Sequence, residues 1–143
     1  MKEDSIKLLE EINTGCQMAI NSFHQFREFE LRDQVEKMLE QNKDEHTEIQ
    51  SEAARLLNEF GGERKEPGMM ATAMSWITTE MKMLWKSDST QVAKLMMDGC
   101  NMGIQSIGEA ISKYPKADEE VVALARKLIK TEENFLSEAE EFL

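Results

Sequence analysis

Apolar residues recur along most of the chain at the 3.6-residue spacing of a helix that buries one face. Convincing alternation of apolar and polar positions is missing, so strands are not expected. Leu, Met, Glu, Lys and Ala dominate the composition, and all five favour helices. The pattern predicts helices over residues 5–28, 33–60, 69–86 and 88–113, and a last helix after Asp118.

Capping residues support these boundaries. Asp4 or Ser5 is expected to cap the first helix, and the Asp33-Gln34-Val35-Glu36 sequence has the form of a capping box for the second. Gly61-Gly62 predicts the end of the second helix, because glycine accepts the left-handed conformation after a helix C-terminus. Asp118 is expected to cap the last helix.

An internal repeat organises the helices. The segment Thr14–Ser22 returns as Asp98–Ser106 with five of nine positions identical, and a turn and a second helix follow each copy. The positions of the second helices also match, with Ile49 corresponding to Phe135. We therefore expect one all-α domain over residues 1–143: a four-helix bundle of two hairpins, 4–60 and 88–143. A long, partly helical crossover, 61–87, joins them with ferritin-type topology.

Charge and composition exclude several classes of protein. The net charge of −11 argues against binding nucleic acid or an anionic membrane, because both depend on Lys and Arg. No run of 18 apolar residues is present to span a membrane. The first residues lack the apolar core of a signal peptide, and two cysteines without such a signal predict free thiols in the cytoplasm.

The chain resembles the ferritin-like superfamily over nearly its whole length. The resemblance is carried by Asn13-Thr14-Gly15, by Leu57-Asn58-Glu59-Phe60-Gly61-Gly62, by Trp76 and by Asp98-Gly99. It is greatest to the small bacterial bundles classed as the domain family DUF2383. Iron-binding relatives place a glutamate after a glycine on the first and third helices, and Glu-x-x-His on the second and fourth.

The ligand set implied by this resemblance is mostly missing. Cys16 and Cys100 follow the two glycines, and Lys43 stands where the first glutamate of Glu-x-x-His would be. The fourth helix has Ile129-Lys130-Thr131-Glu132 without histidine, and Lys43 is expected to bring positive charge near the centre. The resemblance therefore implies a degenerate di-iron site without oxidase, peroxidase or iron-storage chemistry.

Cys16, His46, Cys100 and Glu132 each lie near the middle of an apolar stripe. Two thiols, one imidazole and one carboxylate can bind zinc tetrahedrally, or iron, and the thiols can form a redox pair. Alternatively the cysteines pack as small apolar residues, and His46 hydrogen-bonds Glu132 or Asn42. A Cys16–Cys100 disulfide is disfavoured, because helix axes 8–10 Å apart separate Cα atoms too far.

Methionine is abundant, and eight of the eleven methionines lie between Met69 and Met102. Neighbouring pairs such as Met96-Met97 cannot both face one core, so the extra members, with Trp76 or Trp85, predict a homodimer interface. Phosphate-binding loops and nucleophile motifs are missing. The expectation is a non-catalytic bundle with no cofactor, a structural or interaction role and an unknown protein partner. The alternative is a metal-binding or thiol redox-sensing bundle.

Overall fold

The computed structural model describes residues 2–27, 31–62 and 89–143. Within these ranges the chain forms four helices and no strand: α1 Lys2–Phe26, α2 Asp33–Glu59, α3 Ser89–Lys113 and α4 Glu119–Glu140. The predicted all-α four-helix bundle is therefore confirmed. The predicted helix 69–86, with its methionines, Trp76 and Trp85, lies outside the described residues.

Two of the predicted N-terminal caps are wrong. Helix α1 begins at Lys2, before Asp4 and Ser5. The side chains of these residues accept hydrogen bonds from the backbone N–H groups of Lys116 (2.9 Å) and Asp118 (2.8 Å), and so hold the loop before α4. Helix α2 has Arg32 as its N-cap residue and no side-chain capping bond, so the predicted box at 33–36 does not cap it.

The predicted end of α2 is confirmed. Gly61 has a φ of 76°, the conformation that glycine adopts most readily. The N–H of Gly61 donates to Asn58 at 3.2 Å, and the N–H of Gly62 donates to Leu57 at 2.8 Å. These two bonds form a Schellman motif, which satisfies carbonyl groups that the helix end leaves without partners. Asp118 occupies the N-cap position of α4, as predicted, but its side chain makes no capping hydrogen bond.

The helices pack in the cyclic order α1, α2, α4, α3, and α1 also touches α4 across the bundle. At one end Ser5 bonds Asp118, and at the other the backbone N–H of Arg32 donates to the Ser89 hydroxyl at 3.2 Å. Helices α1 and α3 are therefore antiparallel. A Cβ atom added to Gly62 would lie 3.1 Å from Ile6, so Gly62 and Ser89 lie at opposite ends of the bundle.

The core has two apolar clusters with polar side chains between them. One is built around Leu8, Ile12, Leu56 and Leu128, and the other around Phe23, Val35, Val92 and Phe135. Asn42, His46 and Glu132 are buried as well. No helix in the described ranges is long and apolar enough to cross a membrane.

Candidate functional site

A histidine–glutamate pair lies in the interior of the bundle. Nε2 of His46 on α2 is hydrogen-bonded to Oε1 of Glu132 on α4. The His46 side chain is completely buried, and that of Glu132 is 10% exposed. Nδ1 of His46 lies 2.6 Å from the backbone carbonyl of Asn42, which accepts and never donates, so Nδ1 carries a proton. Both alternatives predicted for His46 are therefore present, since the ring bonds Glu132 and the Asn42 backbone together.

The surroundings of the ring favour the imidazolium form. Burial alone lowers the pKa of His46, because the charged ring loses its hydration. The hydrogen bond and negative charge of Glu132, the Asn42 carbonyl and the charge of Glu45 act in the opposite direction. Together they outweigh burial, so the pKa of His46 is raised from its ordinary value. Both ring nitrogens then donate, one to a carboxylate and one to a carbonyl.

Both thiols are buried where the negative charge of Glu132 acts on them. Cys16 and Cys100 are free and buried, as predicted. Burial raises the pKa of each thiol, and the negative charge of Glu132 raises it further. The Cys100 thiol also donates a hydrogen bond to Glu132. Since only the thiolate is a good nucleophile or metal ligand, neither cysteine is chemically activated here.

Of the four residues singled out in the sequence, His46 and Cys100 bond Glu132 and Cys16 is buried within reach of its charge, but the structure does not arrange them as a metal site. In the part of the chain that the structure describes, no group of three or more His, Cys, Asp or Glu side chains is placed to hold a metal ion. The expectation that Lys43 brings charge to the centre is wrong. Its ammonium group bonds the exposed Glu40 carboxylate at 3.2 Å, because Lys43 lies on the outer side of α2.

The sequence repeat relates the two members of the pair. The match of Ile49 with Phe135 makes His46 the counterpart of Glu132, and the nonapeptide match makes Cys16 the counterpart of Cys100. With α1 and α3 antiparallel, the two hairpins are related by an approximate two-fold rotation. His46 and Glu132 therefore meet where corresponding positions of the two hairpins face each other.

Phe23 packs edge-on against both His46 and Phe135, with ring centroids 5.5 and 5.4 Å apart.

An apolar groove of about 270 Å³ runs between α1 and α3 and reaches the pair from outside. Both repeats line it, with Thr14, Gly15, Met18, Ala19 and Ser22 on one side and Gly99, Cys100, Met102, Gly103 and Ser106 on the other. Among the described residues that line it, only Glu11 and Glu132 are charged.

Glycines keep the groove open. A Cβ atom at Gly99 would meet no atom within 4 Å, and one at Gly103 would lie 3.5 Å from Cδ of Glu132. The sequence analysis did not predict this groove. The signal that was available is the repeat itself, which places small residues and a methionine on one face of each helix.

Comparison with protein-family models, curated proteins and solved structures finds no match to this chain.

Proposed function

We propose that the chain is a non-catalytic, ferritin-like bundle that has lost its di-iron centre and acts by binding another protein. The observation that carries this proposal is the pairing of His46 with Glu132 at the centre of the bundle. A di-iron centre needs several carboxylates that bridge and terminate the two metals. Here Glu132, the only buried acidic side chain among the described residues, is bonded to an imidazole and accepts a hydrogen bond from the Cys100 thiol.

The helix ends support the ferritin-like part of this proposal. Helix α2 is followed by Gly62 at one end of the bundle, and α3 begins at Ser89 at the opposite end. A long connection between two antiparallel hairpins is the topology of ferritin-like folds, in contrast to up-and-down bundles with three short loops.

The thiols argue against catalysis. A nucleophilic cysteine needs a lowered pKa or an adjacent base, whereas both thiols have raised pKa values and face a carboxylate. His46 cannot take a proton from a thiol while both of its nitrogens are occupied by the Asn42 carbonyl and Glu132. No dyad of nucleophile and base is therefore formed among these residues.

We take a second copy of this chain as the binding partner, with the groove as the contact. In a chain in which 31% of residues are charged, the groove is lined almost entirely by uncharged side chains. Interface cores are depleted in charge and enriched in methionine and aromatic residues. Met102 at the groove is 46% exposed, a high value for an apolar side chain. The described residues that line the groove include no basic side chain, and this, with the net charge of −11, disfavours nucleic acid as the partner.

Light scattering with two matched variants tests this contact. Gly99→Glu places a carboxylate in the groove, whereas Gly108→Glu places it on the opposite side of α3, where a Cβ atom also meets nothing within 4 Å. We expect a dimer for the natural chain and for Gly108→Glu, and a monomer for Gly99→Glu. A monomeric natural chain at high micromolar concentration contradicts the dimer.

Oxygen consumption with added ferrous iron tests the loss of the di-iron centre. We expect the protein to consume oxygen no faster than buffer containing the same iron. Consumption that rises with protein concentration contradicts the proposal and restores a di-iron enzyme as the answer. We further propose a cytoplasmic location, because two free thiols fit a reducing compartment.

The second candidate is a metal-binding or thiol redox-sensing bundle that uses Cys16, His46, Cys100 and Glu132. The observation in its favour is that His46 and Cys100 bond Glu132 and that the charge of Glu132 also acts on the buried Cys16 thiol. Elemental analysis of protein purified without an affinity tag separates the two candidates. Stoichiometric zinc or iron that disappears in the Cys16→Ser/Cys100→Ser variant supports the second candidate.

A further inference from the structure

The two hairpins of this chain are so similar in sequence that either is a candidate to pack in the position of the other. They share the nonapeptide Thr14–Ser22 and Asp98–Ser106, and the positions of their second helices match. Each hairpin buries one apolar face against the other, through contacts between α1 and α3, α2 and α4, and α1 and α4. A hairpin of one molecule thus meets two candidate partners, the other hairpin of its own chain and the identical hairpin of a second copy.

From the position of the buried pair we infer that His46 and Glu132 select the correct hairpin partner. The two residues are counterparts in the repeat, and they bond each other where the hairpins meet. Pairing of unlike hairpins brings a donor to an acceptor at this point. Pairing of identical hairpins from two copies places two His46 or two Glu132 side chains opposite each other. The contact therefore forms only between unlike hairpins. This inference goes beyond the proposed function, because it concerns how the bundle assembles and not what it binds.

The mispaired forms lose the contact in different ways. When two His46 rings face each other, each Nδ1 still donates to the Asn42 carbonyl, but neither Nε2 has a carboxylate to bond. Two facing Glu132 side chains place acceptors of like charge together in the interior. Leaving a buried polar or charged group without its partner is strongly unfavourable, so both forms are disfavoured. Specificity of this kind arises from penalties on the wrong complex as well as from bonds in the right one.

The side chains around the pair do not remove this asymmetry. Cys16 on α1 and Cys100 on α3 are the same residue in both hairpins, so the thiols cannot distinguish one hairpin from the other. The surrounding clusters are made of apolar side chains. Such packing tolerates substitution and loses uniqueness before it loses stability.

Two full-length double variants separate specificity from stability. His46→Leu/Glu132→Leu makes the facing positions identical and apolar, a replacement that is often neutral or stabilising for a buried ion pair. His46→Glu/Glu132→His exchanges the two residues and so keeps an unlike pair. Each variant and the natural chain are unfolded in urea, refolded over a range of concentrations, and measured by size exclusion with light scattering.

We expect the natural chain and the exchanged variant to refold to one assembly, whatever its mass. The Leu variant should also form a species of twice that mass, whose fraction rises with concentration to about tenfold that of the natural chain. A Leu variant that refolds to the natural assembly alone overturns the inference. So does an exchanged variant that forms the doubled species as readily as the Leu variant. Because masses are compared with the natural assembly, the result does not depend on whether the groove forms a dimer.

Discussion

Replacing Glu132 with glutamine should change how the stability of the bundle depends on pH. The Glu132→Gln variant keeps the shape of the side chain and a hydrogen-bonding oxygen, but it removes the negative charge beside His46. The pKa of His46 is raised because of that charge and hydrogen bond, acting against burial. Without them burial should dominate, and the pKa of His46 should fall below its ordinary value.

The sign of the effect follows from proton binding. In the natural protein the folded state holds the His46 proton more tightly than the unfolded state, so stability is greatest below pH 6.5 and falls as pH rises through the raised pKa. In the Glu132→Gln variant the folded state should hold the His46 proton less tightly than the unfolded state does. Its stability should therefore rise towards pH 6.5 and then stay level.

The magnitude can be bounded from the burial of the pair. The His46 and Glu132 side chains are 0% and 10% exposed, so solvent screens the contact little. Hydrogen bonds to charged groups contribute about 1.5–3 kcal/mol, against about 0.5–1.5 kcal/mol for neutral ones. We expect Glu132→Gln to destabilise the protein by about 2 kcal/mol at pH 6 and by less at pH 8.

Urea unfolding at half-unit steps between pH 6 and pH 8 measures this difference. Glu133→Gln is the matched control, because Glu133 is the exposed neighbour of Glu132 and its substitution makes the same change in charge. The window stops at pH 8 because the thiols of the unfolded chain titrate near pH 8.5. If Glu132→Gln shows the same pH slope as the natural protein and the control, His46 is not the group responsible and this reasoning is refuted.

Three further predictions concern the thiols and the glycines. Cys16 and Cys100 should react with a thiol reagent at pH 8 only slowly in the native protein and rapidly in urea, because burial raises their pKa values; rapid native labelling contradicts this. Gly99→Ala and Gly108→Ala should each raise the free energy of unfolding by about 0.5–1 kcal/mol in urea titrations, since both are helical with open space at Cβ. Gly61→Ala should lower it by about 1 kcal/mol because of its φ of 76°, and an unchanged midpoint argues against that conformation.

The sequence predicted the features that depend on local periodicity and glycine chemistry. The 3.6-residue spacing gave the four described helices to within a few residues, and Gly61-Gly62 gave the end of α2. Cys16, His46, Cys100 and Glu132 are all buried, because apolar stripes of known spacing fix which side chains face the core.

The features that depend on distant partners were not predictable in the same way. Asp4 and Ser5 look like helix caps, but their acceptor oxygens bond N–H groups more than 100 residues away, in the loop before α4. The groove likewise depends on α1 and α3 lying side by side, which no local pattern states. The resemblance placed Lys43 at the position of a metal-binding glutamate. In the structure, however, Lys43 bonds the exposed Glu40 side chain.

The repeat explains why two different polar residues stand at corresponding positions in the centre of the bundle. When two similar hairpins pack about an approximate two-fold axis, counterpart residues face each other only close to that axis. A buried polar contact between identical residues there joins two donors or two acceptors, so a satisfied contact requires two different residues. His46 and Glu132 meet this requirement. Cys16 and Cys100 are the same residue in both repeats and are not bonded to each other, so this requirement does not apply to them. A duplicated bundle can therefore keep a fully paired polar contact buried at this position only if its two halves carry different residues there.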